Sequence, residues 1–170
     1  MNSINYYYKN LATALLLALM LFGCNGDEHA LIQVGAKAPP FTLKLVDGGQ
    51  ANLAQYAGKG LVITFMASWC PCSNDSMPLM KDAYQTHKDD IAFLMVGVQD
   101  AESKFGQYVK KWDVPFAAGF DDGDKIARAY GIGSPPTTYF IDKTGLVKRA
   151  FYGNIKDKPS EFQQWLKEIM

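Results

Sequence analysis

The sequence predicts an α/β sandwich built on a central mixed β-sheet, with a short β-hairpin at its N-terminal edge. Three observations lead there. Two near-continuous apolar runs, Leu61 to Ala67 and Ile91 to Val98, read as strands buried on both faces. Segments with helical apolar spacing follow each of them. A turn-linked strand pair and a terminal helix then close the chain, and that order calls for helices layered on one sheet.

Taken along the chain, Phe41, Leu43 and Leu45 alternate with polar residues before Asp47-Gly48-Gly49 turns toward Ala51 to Leu53, a hairpin signal. After Cys70, the residues Met77, Met80, Ala83 and Tyr84 recur at helical spacing, with Pro78 placed to kink that helix. Phe105 to Trp112 reads as a second helix, followed by a short extended piece around Pro115 to Ala118. Lys125 to Tyr130 is a short helix ending at Gly131. Thr137 to Ile141 and Leu146 to Tyr152 are strands joined by Asp142-Lys143-Thr144-Gly145, with glycine where positive φ is easy. Lys158 to Ile169 is the final helix, Pro159 near its start.

At 170 residues the chain accommodates one domain and a short appendage. Seventeen Lys and Arg balance seventeen Asp and Glu, so no basic surface for nucleic acid and no acidic tail is expected. The appendage is the N-terminus. Residues 1–23 carry one charged side chain, Lys9, ahead of the apolar run Leu11 to Phe22. That run is shorter than the roughly 20 residues of a membrane-spanning helix and suits the apolar part of a secretory signal. It ends in Leu21-Phe22-Gly23-Cys24, which resembles a bacterial lipobox, although Phe22 is bulkier than usual. By that resemblance residues 1–23 are a signal peptide, Cys24 is lipidated, and 24–38 form the lipidated cysteine and a polar tether. An uncleaved anchor is the alternative reading. Either way the domain at 39–170 lies outside the cytoplasm, and Asn25 favours an outer membrane where the organism has one.

With Cys24 carrying lipid, Cys70 and Cys72 are the remaining thiols, too few for a structural disulfide framework in a compartment where disulfides persist. They follow a buried strand and open a helix. Free backbone N–H groups and the helix dipole favour an anion there, which makes Cys70 the better nucleophile.

From Gly35 onward the chain resembles the TlpA/ResA-like thioredoxin-fold redoxins. The resemblance rests on Gly35 to Leu43, on Phe65-Met66-Ala67-Ser68-Trp69-Cys70-Pro71 with Met77-Pro78 at the matching distance, and on Tyr130-Gly131-Ile132 before Pro135-Pro136-Thr137-Thr138-Tyr139-Phe140-Ile141-Asp142. It implies a thioredoxin-like three-layer sandwich and thiol-disulfide exchange with a disulfide- or thiol-bearing protein substrate and a redox partner. No cofactor and no metal are expected. Cys70 and Cys72 are the candidate catalytic residues; Trp69, Pro71, Ser73, Pro135 and Pro136 support them.

The departures from that pattern bear on mechanism. Ser73 holds the place of the usual second cysteine, so the motif is C-x-C-S. Helical spacing puts Ser73 on the face of Cys70, offering its hydroxyl to the thiolate, and turns Cys72 about 200° away. A Cys70–Cys72 disulfide then requires that first turn to loosen. Ser76 and Thr64 stand where related proteins carry acids, and Asp75 is turned toward solvent. Pro136 matches the family's cis-proline. Pro135 before it has no N–H, so a docked peptide keeps an acceptor and loses a donor.

Three other readings compete. A binding module would keep the scaffold without dithiol turnover. Copper(I) suits two soft thiolates, but no distal histidine is found: His29 sits in the tether and His87 near the end of the first helix. A peroxiredoxin-like peroxidase needs a Pro and a Thr where the chain has Ile63 and Ala67.

Overall fold

A computed structural model describes residues 31–170; the expected signal peptide at 1–23, the expected lipidation site Cys24, and His29 lie outside the described residues. The hairpin is β1 (Thr42–Lys44) and β2 (Gln50–Asn52), paired antiparallel with Leu43 opposite Ala51. Then come β3 (Gly60–Met66), α1 (Pro71–His87), β4 (Ile91–Gly97), α2 (Glu102–Lys111), β5 (Ala117–Phe120), α3 (Lys125–Ala129), β6 (Thr137–Ile141), β7 (Val147–Tyr152) and α4 (Pro159–Ile169). The main sheet has the order β5-β4-β3-β6-β7. The first three strands run parallel to one another, while β6 and β7 are antiparallel to their neighbours. This is the mixed sheet, with its N-terminal hairpin, that the sequence predicts.

β3 is central because every one of its residues is buried, as a strand covered on both faces must be. Its side chains alternate between two cores. Leu61, Ile63 and Phe65 join Leu43, Tyr130 and Tyr139 under the hairpin and α3. Val62 and Met66 join Met77, Met80, Phe105, Phe162 and Leu166 under α1, α2 and α4. Period-two alternation of a strand is thereby turned into three layers. Each fully buried side chain of this size contributes roughly 1.5–3 kcal/mol.

The hairpin lies close on β5. Leu45 pairs with Gly119, and Val46 N–H donates to the Ala118 carbonyl at 2.9 Å. A Cβ at Gly119 would collide with the Lys44 carbonyl oxygen, so glycine permits the crossing.

Several boundaries differ from the sequence reading: α2 starts at Glu102 instead of Phe105, and two other differences have clear physical reasons. The extended piece expected at Pro115 to Ala118 becomes β5 at Ala117–Phe120, because its register is set by pairing with Leu94 to Gly97 and Pro115 has no N–H to pair. The C-terminal part of the expected tether packs onto the domain. Ile32 N–H donates to Tyr139 Oη at 2.9 Å, Gly35 N–H to Val147 O at 2.7 Å and Ala38 N–H to Gly145 O at 3.0 Å. The chain is thus fixed to the sheet before residue 39. No helix among the described residues is long and apolar enough to cross a membrane.

Candidate active site

β3 ends at Met66, and Ala67-Ser68-Trp69 turn the chain into α1. Cys70 is the N-cap of that helix, with extended backbone (φ −86°, ψ 119°), and Pro71 occupies the first helical position, where its missing N–H costs nothing. The Cys70 carbonyl accepts from Ser73 N–H at 3.1 Å, Asn74 N–H at 3.4 Å and Asn74 Nδ2 at 3.2 Å. The side chain is 7% exposed, and Sγ donates to the Pro135 carbonyl oxygen at 3.7 Å. The Pro135–Pro136 bond is cis, as the sequence resemblance implies. The structure therefore joins Cys70, Pro135 and Pro136 in one place.

Two expectations about the neighbouring side chains need correction. Ser73 is fully buried, and its Oγ accepts from Ala67 N–H at 3.3 Å. The partner of the Cys70 thiol is the Pro135 carbonyl, with Ser73 fastening the end of β3 to α1 instead. Cys72 is exposed, and its thiol feels that of Cys70. Its thiol pKa is raised, by desolvation first, then by the Cys70 sulfur as a charge and as a hydrogen-bond partner, and then by Asp75 and Asp157. The 100°-per-residue argument treats Cys70 as helical. As an N-cap with extended backbone, Cys70 aims its side chain independently of the helical rotation.

The positions that lack the family's acids are polar and neutral. Thr64 is buried, its Oγ1 3.1 Å from that of Thr138. Ser76 is also buried; its single hydroxyl proton lies between the Cys72 carbonyl at 2.8 Å and Asn154 Oδ1 at 3.0 Å. Asp75 faces solvent, as the spacing predicts, within 3.9 Å of Lys156 Nζ and 3.5 Å of Asn154 Nδ2. His87 ends α1, a helix of 17 residues, and so lies about 25 Å from Cys70. Among the described residues, no group of three or more His, Cys, Asp or Glu converges as a metal site would.

Trp69 is the exposed aromatic beside the thiol, at 57%. Its Nε1 donates to the Gln99 carbonyl at 2.7 Å. Gln99 has φ 51°, in the left-handed region, and is held there by its N–H to Asp124 Oδ1 at 2.9 Å and its Nε2 to the Gly133 carbonyl at 3.1 Å. Sequence reasoning missed Gln99, Asn154 and Asn74, whose Oδ1 also accepts from Trp112 Nε1 at 3.1 Å. It also missed Tyr108, buried near enough that burial and then the Cys70 charge push its phenol well above the usual range. Gln99, Asn154 and Tyr108 carry no local signal, because each reaches the site across a large sequence separation, whereas Asn74 reaches Cys70 at the i, i+4 spacing of a helix start.

A buried thiol at a helix N-cap, facing the carbonyl before a cis-proline on the adjoining strand, defines a thioredoxin-fold thiol protein. Comparison with known proteins agrees. Residues 34–150 match the AhpC/TSA family. The thiol-disulfide oxidoreductase ResA of Geobacillus thermodenitrificans is 32% identical, over 84% of this chain and 81% of that one. ResA of Geobacillus kaustophilus is 31% identical, over 88% and 90%. Among solved structures, a Chlorobium tepidum chain provisionally assigned as the thiol:disulfide interchange protein DsbE superposes with a TM-score of 0.77 at 24% identity, over 82% of this chain and 99% of that one. The chain belongs to the AhpC/TSA family, among its TlpA/ResA-like thiol-disulfide oxidoreductases.

The coupling of the two thiols has a measurable consequence. A raised pKa means that Cys72 stays protonated to higher pH than an ordinary cysteine, so its alkylation by iodoacetamide should show a midpoint above that of a free thiol. Cys70→Ala removes two of the causes and should move the Cys72 midpoint down. Site-resolved mass spectrometry of the alkylated peptide follows both. An unmoved midpoint would show that the thiols do not interact.

Proposed function

We propose that this protein is a lipid-anchored, extracytoplasmic thiol-disulfide oxidoreductase in which Cys70 attacks and Cys72 resolves. The observation that carries the proposal is the Cys70 thiol, at the start of α1, against the Pro135 carbonyl. Cys70 loses its proton to solvent, which frees that carbonyl to accept from the backbone of a docked peptide. Pro135 offers no N–H in return.

The Cys70 thiolate attacks one sulfur of the substrate disulfide. A Cys70–substrate S–S bond forms, the substrate S–S bond breaks, and the departing thiolate takes a proton from water. Cys72 then gives up its proton and attacks the Cys70 sulfur. The Cys70–Cys72 bond forms as the second substrate thiolate leaves. The substrate gains two electrons and the protein dithiol loses them; run backward, the same steps oxidise a substrate dithiol. Thr64 and Ser76 cannot exchange protons at neutral pH as carboxylates do, so these transfers go through water.

Reduction of insulin disulfides in a glutathione buffer tests the roles of the two cysteines. Cys70→Ser should lose all turnover above background. Cys72→Ser should lose about tenfold or more, since an external thiol must replace an intramolecular one, and should accumulate a mixed disulfide on Cys70. Equal turnover by wild type and Cys70→Ser, or none by either, contradicts the proposal. Turnover of hydrogen peroxide in place of insulin would support the peroxidase reading.

The membrane assignment rests on Leu21-Phe22-Gly23-Cys24, which resembles a lipobox, and on Asn25 after it, which favours an outer membrane. Cys24→Ser expressed in a bacterial host should abolish incorporation of labelled fatty acid and release the protein from membranes. Retained label would overturn the assignment.

A further inference from the structure

The C-x-C spacing leaves a geometric problem at the first turn of α1, and Ser76 bears on how it is solved. For a Cys70–Cys72 disulfide to form, the two sulfurs must come within bonding distance, and one of the residues must move. Cys70 is poorly placed to do so. Its sulfur is buried against Pro135, and its carbonyl holds three donors from Ser73 and Asn74. Cys72 is exposed, so its residue is the one that shifts.

Shifting Cys72 carries its carbonyl along. That carbonyl is the acceptor for Ser76 Oγ at 2.8 Å, beyond its ordinary place in the helical ladder. A serine bonding back four residues along its own helix is common and by itself weak. Here the hydroxyl is anchored from outside the helix. Asn154 Oδ1 shares the same proton at 3.0 Å. Asn154 is fixed in turn as the cap of the 3-10 turn Ile155–Asp157, accepting from Lys156 N–H at 3.1 Å, and its Nδ2 reaches Asp75 at 3.5 Å. The segment after β7 is therefore tied to the Cys72 peptide through one buried hydroxyl.

We propose that Ser76, anchored by Asn154, is a positioning residue that holds the Cys72 carbonyl in the helix and so opposes closure of the Cys70–Cys72 disulfide. This rests on the reading that Cys72 resolves the mixed disulfide. The clamp favours the dithiol, which makes the disulfide the stronger oxidant. Ser76→Ala releases the Cys72 carbonyl while leaving it its helical partner, and leaves Asn154 Oδ1 its bond from Lys156. The substitution frees the turn without stranding a buried group.

The test is the equilibrium of the full-length protein with glutathione, in which one oxidised glutathione takes two electrons and two protons from the dithiol to give two reduced molecules. The fraction of Cys70–Cys72 disulfide is read by mass spectrometry after acid quenching and alkylation. Ser76→Ala should shift the equilibrium constant about three- to tenfold toward the disulfide, the worth of one hydrogen bond. That is a midpoint lower by about 14–30 mV. Ser76→Thr keeps the hydroxyl and should stay with wild type. Asn154→Ala should shift in the same direction as Ser76→Ala, and the double variant no further than the larger single shift. A constant unchanged in Ser76→Ala, or moved toward the dithiol, overturns the clamp; so does Ser76→Thr behaving like Ser76→Ala. A general loss of stability would lower the unfolding midpoint of both redox forms alike and leave the constant in place, again overturning it. Absence of any Cys70–Cys72 disulfide in wild type overturns the resolving role of Cys72 itself, and the clamp with it.

Discussion

Cys70 Sγ meets the Pro135 carbonyl because β3 and β6 run in opposite directions side by side. Their pairing sets Thr64 opposite Thr138 and Phe65 opposite Thr137, so the residues after β3 arrive beside those before β6. The start of α1 and the cis-proline loop are delivered to the same end of the sheet by that register. A slip of one residue would reverse the facing of every β3 side chain and take Cys70 away from Pro135. The all-buried strand makes such a slip costly, since Leu61, Ile63 and Phe65 would exchange cores with Val62 and Met66. The thiol contact is thus supported by both hydrophobic layers.

Given that placement, the character of the site follows from what surrounds the two sulfurs. Interior positions that could hold a proton-transferring acid hold hydroxyls, each satisfied by another protein group: Thr64 by Thr138, Ser76 by Cys72 and Asn154, Ser73 by Ala67. Such a site keeps no permanent charge beneath the thiols. Its carboxylates, Asp75 and Asp157, lie near Cys72 and raise its pKa. Cys70 is enclosed while Cys72 is open, so the two thiols differ in environment far more than two residues of sequence separation suggests. An enclosed sulfur and an accessible partner suit the proposed order, in which Cys70 meets the substrate first and Cys72 follows.

The architecture was legible because it rests on signals repeated over several residues. The runs at Leu61 to Ala67 and Ile91 to Val98, the turn at Gly145 and the spacing of Met77 and Met80 each report burial or backbone geometry locally. The cis-proline loop was legible only through the Pro135-Pro136 resemblance. The direction of the Cys72 thiol was not, because helical rotation applies to residues inside a helix, and Cys70 stands just outside it. Asn154 and Gln99 were invisible for a different reason. Ser76 and Asn154 are 78 residues apart and Trp69 and Gln99 are 30 apart, so their contacts exist only once the sheet is assembled. Polar clamps of this kind leave no periodic trace.

In the proposed cycle Cys70 attacks first and Cys72 closes it. Rapid mixing of the reduced protein with a small model disulfide, followed by acid quenching and site-resolved mass spectrometry, tests it most directly. An adduct should appear on Cys70 and then decay as a species lighter by two hydrogens than the reduced protein, linking Cys70 to Cys72, takes its place. An adduct that forms first on Cys72, or one that persists on Cys70 without giving way to the internal disulfide, would contradict it.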